Sequence, residues 1–441
     1  MACASVALVQ SAPASHKEDR TLLKQAPPAN AANPKQGRKI AIFVDTLNAT
    51  GVVRNAVAIA NRMDSDGWRV GLVAARAEGH MRASLQPGIT VHQLAEGAVS
   101  RLSRRRRLVG AIRGYRRFLR AFQPDVLLSA GNHGHLPTLL AAGAAPYCKT
   151  VFRISNDIEH RQGRKSKRSL SRLVRRIQLR LVVKRADLMV LVSPHLQHNP
   201  VIRGVAAGRV TVIDNGVDVE AVRRDANRDC DHPWLSNGSE VPVVLGVGRF
   251  VTQKNLPTLI QAVAAARDVR PMRLLLIGSG PLNEELQGEI DRLGVGDCVA
   301  IIPPVANPMP YISRAAVLAL PSWWEGASNV LLEAIACGTP VVASETAGSA
   351  AMVLGDGKYG VLVDPADVSQ IADAILRQSS EFAVRPEKRA SDFSIVKTLE
   401  AYSTAFSALA ASHAPVPDET PAVGSHPVSP PARSKRLRRS A

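Results

Sequence analysis

Between residues 39 and 213 the chain alternates short apolar runs with longer stretches whose apolar positions recur at helical spacing. The runs are KIAIFV at 39–44, WRVGLVA at 68–74, PDVLLSA at 124–130, ADLMVLVS at 186–193 and VTVI at 210–213. Uninterrupted apolar strands separated by helical patterns predict a parallel sheet covered on both faces. An Asn-Gly turn at Asn215 and Gly216 follows, then a polar stretch through Ser239 with the composition of a linker. The rhythm restarts with VPVVLGVG at 241–248, RLLLIG at 273–278, VAII at 299–302, AVLALPS at 316–322 and TPVVAS at 339–344. The prediction is an α/β protein of two doubly wound, Rossmann-like parallel-sheet domains, at 38–222 and 240–387, with a cleft between them. A helix at 388–411 is expected to return to the first domain. The segments 1–37 and 412–441, rich in Ala, Pro, Ser and His without periodicity, are expected to be disordered tails, the second of them basic. Ligands of such sheets bind beyond the carboxyl ends of the strands, so the loops there should carry the chemistry.

The 441 residues are too many for one compact core, in keeping with two domains. No apolar run reaches the roughly 18 residues a membrane span requires. Residues 2–15 are small and apolar, but no charged segment precedes them and no continuous apolar stretch forms, so a cytoplasmic location is expected rather than secretion. Five scattered cysteines without a C-x-x-C pair indicate neither a disulfide framework nor a zinc knuckle.

Charge divides the chain. Residues 38–210 hold 31 Lys and Arg against 9 Asp and Glu, whereas residues 211–410 hold 16 against 24. A cationic half joined to an anionic one suggests that the first lobe approaches a polyanion. Two stretches concentrate the charge. Nine arginines between Arg101 and Arg120 surround a helical stripe of Leu108, Ile112, Tyr115, Leu119 and Phe122; eleven Lys or Arg between Arg161 and Arg185 surround Leu170, Leu173, Ile177 and Leu181. Either each stripe docks on a sheet beneath a solvated basic face, or the helices meet an anionic membrane. Nucleic acid is disfavoured because aromatics make up 4% of the chain and no stacking or base-reading motif accompanies the arginines.

The second half carries the candidate chemistry. The strand VVLGVG leads through Gly246 and Gly248 into Arg249 and Lys254, placing two cations at a strand-to-helix turn where a diphosphate would be held. A second turn, Gly278-Ser279-Gly280-Pro281, opens the next helix, although such turns use glycine for packing alone. In PSWWEGASNVLLEAIACG at 321–338, Glu325 lies after an apolar strand and Glu333 interrupts an apolar helical face, where an unpaired carboxylate is costly. Ser328 or Asn329 is placed to cap that helix, whose amides from Asn329 and Val330 onward present the positive end of its dipole. In the first half, His133 or His135 follows a strand end and could meet an acceptor or a sugar, as could Arg153, Ser155 and Asn156 after VFRI. Two D-x-D strings, at Asp64 and Asp66 and at Asp229 and Asp231, fall in a turn and in the polar stretch.

These motifs resemble those of retaining glycosyltransferases of family 4, the group 1 glycosyl transferases. The E-x7-E pair Glu325 and Glu333, the R-x4-K pair Arg249 and Lys254, the G-S-G-P turn, EAIACGTPVVAS at 333–344 and DGKYGVLVDPAD at 356–367 occur in the family's order. The resemblance is dense from about 241 to 376 and thinner before it, where ADLMVLVS and RVTVIDNGVD fit. It implies a GT-B fold, with the second domain holding a UDP- or GDP-linked sugar and the first the acceptor, a saccharide or a lipid-linked one. The donor set is then Gly248, Arg249, Lys254, Gly278, Gly280, Ser328, Asn329, Val330 and Glu333, with Glu333 on the ribose and the cations on the diphosphate. Glu325, Glu333 and His133 become the catalytic candidates, and Gly51, Arg153 and Asn156 the acceptor contacts. No metal or other cofactor is expected, and the D-x-D strings are assigned none. The implied setting is the inner face of a membrane during polysaccharide or glycan assembly. The chain departs from the pattern where Thr50-Gly51 replaces a double glycine, where Val53 replaces an acidic residue, and near Met352, where the family often has Glu. A sugar epimerase or phosphorylase on the same architecture is the alternative enzyme, and a noncatalytic nucleic-acid-binding scaffold the alternative outside catalysis.

Overall fold

The computed structural model describes residues 37–95, 97–156, 169–236 and 240–412. The first lobe runs β1 (Lys39–Thr46), α1 (Gly51–Ser65), β2 (Arg69–Arg76), β3 (Thr90–Gln93), α2 (Arg104–Gly110), α3 (Ile112–Phe122), β4 (Val126–Ser129), α4 (His135–Ala142), β5 (Lys149–Ile154), α5 (Ser169–Arg185), β6 (Leu188–Leu191), α6 (Pro200–Arg203) and β7 (Val210–Val212). The second runs α7 (Val219–Ala226), β8 (Val243–Arg249), α8 (Leu256–Arg267), β9 (Arg273–Ser279), α9 (Asn283–Leu293), β10 (Val299–Ile302), α10 (Met309–Arg314), β11 (Val317–Leu320), α11 (Asn329–Cys337), β12 (Val341–Ser344), α12 (Ala350–Val353), β13 (Val361–Val363) and α13 (Val368–Gln378), before the last helix α14 (Ile395–Ala411).

The alternation closes into two sheets, ordered β3-β2-β1-β4-β5-β6-β7 and β10-β9-β8-β11-β12-β13, with parallel pairing throughout. The α/β architecture of two Rossmann-like domains is therefore the one the chain adopts. Strands buried on both faces need apolar side chains at every position, and β4, β6, β11 and β12 are buried along their whole length. Edge strands are less enclosed: β13 is apolar but Val361 and Leu362 are only partly buried, and β3 reads TVHQ. Thr90 and Gln93 of β3 are exposed, so hydrophobicity alone does not single out the segment.

In the first lobe, alternate residues of β1 face opposite layers. Ile40, Ile42 and Val44 pack with Ile59 and Met63 of α1 and with Tyr402 and Phe406 of α14, which crosses back from the end of the chain. Ala41 and Phe43 face Tyr115 and Leu119 of α3, with Phe43 stacked on Tyr115 at 4.9 Å between ring centres. The linker-like stretch is partly structured: α7 places Val222 and Ala226 in the second lobe's core, together with Val217 and Leu235. Among the described residues no helix is long and apolar enough to cross a membrane.

Strand order reverses direction between β1 and β4 and again between β8 and β11. At such points the loops diverge and leave a crevice beyond the strand ends. Beyond β1 and β4 lie Gly51, which opens α1, and His133; Arg249 ends β8 with Lys254 in the loop after it, and Glu325 lies in the loop after β11.

Candidate active site

The loop after β8 is shaped by close backbone approach. Gly248 has φ +150, and a Cβ there would lie 3.1 Å from Lys254 Cε, so the missing side chain lets the lysine fold back over the strand end. Gly278 has φ +158, and its Cβ would fall 1.9 Å from the Gly248 carbonyl oxygen. A Cβ on Gly280 would meet Phe250 O at 2.3 Å. The packing of β9 against this loop thus suffices to account for the G-S-G-P glycines.

Lys254 Nζ lies 2.7 Å from Glu325 Oε1, making a largely buried ion pair. Ser322 Oγ donates to the same oxygen at 3.0 Å, and Gln253 Nε2 donates to Oε2 at 3.0 Å. Each carboxylate oxygen therefore accepts a bond, which meets the requirement for an ion buried at 8% exposure. Gln253 also reaches the first lobe, accepting from Asn156 Nδ2 at 3.4 Å. Asn132 fixes that loop, its Nδ2 donating to Asn156 O at 2.9 Å and its Oδ1 accepting from Ser155 N at 3.0 Å. A Cβ on Gly326 would meet Ser155 O at 2.3 Å, so the two lobes touch backbone to backbone beside Glu325.

Glu333 sits on the first turns of α11, and its partner is Arg54 of α1, whose Nη1 donates to Oε1 at 2.6 Å. Glu333 Oε2 accepts no bond from the described residues. Ser328 makes no capping bond. Asn329 turns its Oδ1 toward Asn215 Nδ2 at 2.7 Å, while its Nδ2 would lie 3.0 Å from a Cβ on Gly51. Neither residue caps α11 with its side chain, and the helix start, Val330 included, keeps its amides clear of a side-chain acceptor.

Arg153 does not occupy the acceptor-contact position expected for it. It is 2% exposed, with Nε donating to Tyr402 Oη at 2.9 Å, Nη1 to Ala130 O at 3.3 Å and Nη2 to Asn215 Oδ1 at 2.5 Å. A guanidinium so enclosed orients Asn215, and through it Asn329.

His133 stands at the cleft rim, accepting from Arg104 Nη1 at 3.1 Å. Burial first, then Arg104 and Arg249, hold its pKa below the ordinary histidine value, while Asp45 pulls the other way. Arg249 of the second lobe thus comes near His133 of the first. Asp45, at the end of β1, binds Arg107 at 2.8 Å and Arg104 at 3.0 Å. The basic helix expected over 101–122 runs from Arg104 to Phe122, broken only at Ala111 between α2 and α3; Leu108, Tyr115, Leu119 and Phe122 dock on the sheet, as one of the two readings of the stripe has it, and Arg104 and Arg107 turn toward the cleft.

The structure brings Lys254, Glu325 and Asn156 into one network through Gln253, sets Asn329 close to Gly51, and pairs Glu333 with Arg54 of the helix that Gly51 opens. Arg54, Gln253, Asn132 and Asp45 are not singled out by the sequence, in which Asn215 reads only as part of a turn. For Arg54 a signal existed, a cation one helical turn after Gly51. Among the described residues no cluster of three or more His, Cys, Asp or Glu suits a metal ion, and Asp66 is bound to Arg62 and Ser403.

Comparison with known proteins agrees with this fold. Residues 49–221 match the model for Glycosyltransferase Family 4, and residues 241–380 the model for Glycosyl transferases group 1. The D-inositol 3-phosphate glycosyltransferase of Nocardiopsis dassonvillei is 30% identical over 370 residues, covering 77% of this chain and 84% of that protein. The chain belongs to this glycosyltransferase family. A Campylobacter jejuni transferase, the N-acetylgalactosamine-N,N'-diacetylbacillosaminyl-diphospho-undecaprenol 4-alpha-N-acetylgalactosaminyltransferase, is 28% identical over 45% of this chain and 52% of its own length. For several such relatives the chain spans about half their length. The solved structure of Anabaena HepE in complex with UDP-glucose superposes with a TM-score of 0.69 at 20% identity, covering 84% of this chain and 99% of that one. It shares the two-domain fold of this chain.

Proposed function

We propose that this glycosyltransferase moves a hexose from a nucleotide sugar, UDP- or GDP-linked, to a saccharide or lipid-linked acceptor, with retention of anomeric configuration. The setting we assign is the cytoplasmic, inner face of a membrane during polysaccharide or glycan assembly. The observation that carries this reading is the convergence of Lys254, Glu325 and Gln253 with Asn156 of the opposite lobe, at a strand-order switch point beside Arg249.

The mechanism follows from charge and donor count. A departing nucleoside diphosphate gains negative charge at its β-phosphate, and fixed cations lower the barrier by stabilising it. Arg249 offers a planar fork of donors. The Lys254 ammonium has three N–H groups, of which the Glu325 contact uses one, so it can bridge carboxylate and phosphate together. Glu325, held by three partners, presents its charge at one fixed place beside the anomeric carbon. The Oε2 atom of Glu333 is left to accept ribose hydroxyls, as Oε1 is taken by Arg54. The leaving phosphate takes the acceptor's proton, which accounts for attack on the face it vacates. Charge neutralisation rests on side chains, so the reading assigns no metal or other cofactor.

A thermal-shift panel of UDP-, GDP- and ADP-sugars tests donor binding, since a ligand of the native state raises its melting temperature. Release of nucleotide that requires an acceptor identifies transfer, whereas sugar isomerisation without acceptor would assign an epimerase instead. NMR of the product then reports the anomeric configuration.

A further inference from the structure

On the face of the first sheet opposite α1 and α14, helices α3, α4 and α5 form one layer, α3 packing on α4 and α4 on α5. The outward side of such a layer is ordinarily polar. Here it is not. On α5, Leu173, Val174, Ile177 and Leu181 are between 45% and 52% exposed, whereas Leu179 and Val182 on the other side of the helix are buried in the core. With 3.6 residues per turn, the four exposed side chains fall in a stripe roughly 100° wide. Exposed Arg180 borders the stripe on one side and exposed Arg185 on the other, while exposed Lys184 continues it at the C-terminal end of the helix. Leu140 on α4 is 50% exposed, and Val109, 66% exposed, lines a shallow groove with Arg113 and Arg116 along α2 and α3.

We propose that this layer is a docking face for an anionic phospholipid bilayer, with α5 lying in the plane of the interface. Its leucines and Ile177 enter the boundary between headgroups and acyl chains, and the flanking cations meet the headgroup phosphates. Charge complementarity selects this occupant. Apposing a second copy would set one strongly cationic lobe against another, since residues 38–210 carry a net charge of +22. A nucleic-acid backbone would satisfy the cations and leave the apolar stripe unpartnered. A bilayer satisfies both. The Arg104–Arg107 run is not the docking element, because Arg104 and Arg107 are held by Asp45.

The inference deepens the membrane-surface part of the proposed function and rests on it there alone, since docking is measured without turnover. The full chain is floated with vesicles of phosphatidylglycerol and phosphatidylcholine, and with phosphatidylcholine alone, at low and high salt. The wild type should float with the anionic vesicles, less so at high salt, and L173S/I177S/L181S should lose at least about 10-fold of that binding. The repacked variant L173I/I177L/L181I and the variant Arg104→Gln should float like wild type. All three substituted positions are exposed, so circular dichroism and melting temperature should stay unchanged. The proposal fails if the serine variant floats normally, if wild type ignores anionic vesicles, or if light scattering shows a dimer that the serine variant abolishes. Donor binding in the thermal-shift panel stands or falls separately.

Discussion

Arg54 of α1 and Glu333 of α11 form an ion pair at 2.6 Å that joins the first lobe to the second. Glu333 is 7% exposed and has no other hydrogen-bond donor among the described residues, whereas the Arg54 side chain is 42% exposed. On the proposed assignment of Glu333 to the donor ribose, that carboxylate is oriented by a residue of the opposite lobe, so donor binding should be coupled to lobe position.

Arg54→Ala should weaken donor binding about 5- to 50-fold, the scale of one charge-assisted hydrogen bond. The melting temperature should fall measurably too, because Glu333, 7% exposed, is left charged without the one donor it has among the described residues. Calorimetric titration with the nucleotide sugar found by the thermal-shift panel checks this. In the Glu333→Gln background, Arg54→Ala should cost much less. Equal losses in both backgrounds would show that Arg54 acts independently of Glu333.

Lys254 has two tasks, and single alanine substitution mixes them. Removing the ammonium leaves Glu325 charged at 8% exposure, at a cost of about 3–5 kcal/mol. Lys254→Ala should consequently lower the melting temperature markedly as well as abolish transfer. Lys254→Met combined with Glu325→Gln removes both charges and should recover most of the stability while transfer stays at least about 10²-fold down. If stability returns together with activity, the cation has no part in stabilising the leaving phosphate.

Gln253 illustrates which parts of the site can be read from the chain. The strands of both lobes are legible because each buried parallel strand demands consecutive apolar residues, and Glu333 stands out because it interrupts such a face. Gln253 has no comparable mark. It lies in a polar loop beside the expected Lys254, and its significance comes from Asn156, 97 positions earlier, which only the fold brings within 3.4 Å. Arg153 shows the converse. A polar residue at a strand end reads as a ligand contact, but partners as distant in sequence as Tyr402 enclose it. On α5, helical periodicity marks the stripe of Leu173, Ile177 and Leu181 without telling which way it faces, because Leu179 and Val182 supply a second apolar side.

Gln253→Leu should separate positioning from charge. It removes the 3.0 Å bond to Glu325 Oε2 and the link to Asn156 but leaves Lys254 and Ser322 in place. The expected result is a kcat lowered about 10-fold with donor KM little changed, since the Glu325 orientation matters in the transition state. A rise in KM alone would place Gln253 in donor binding.

Arg153→Met tests the buried relay from Tyr402 to Asn215 and Asn329. Methionine fills comparable space but leaves Asn215 Oδ1 and Tyr402 Oη without their donor, each buried unsatisfied group costing about 1–3 kcal/mol. The melting temperature should fall by at least about 4 °C. Donor binding should weaken as well, because Asn329 loses its fixed partner. A variant as stable as wild type would remove the relay from the account of how α11 is held.

His135 provides a test by pH. Its Nδ1 lies 2.8 Å from Ser129 Oγ, its ring meets Phe152 edge-on, and its Nε2 is buried without a hydrogen-bond partner among the described residues. Burial, with His133 and Arg153 adding to it, lowers its pKa to about 3. Unfolded, it would titrate near the ordinary value of about 6.5. Between those values the unfolded chain binds a proton that the folded chain refuses, so the stability from the neutral ring is complete above about pH 6.5 and is lost as pH falls toward 3. One proton corresponds to about 1.4 kcal/mol per pH unit. His133, shifted in the same direction, adds a slope of the same sign. Urea unfolding of wild type and His135→Gln at pH 6.0, 5.5 and 5.0, above the main carboxylate range, isolates the His135 part as the difference of slopes. The wild type should be steeper by close to one proton, and parallel profiles would mean that His135 is protonated in the folded chain.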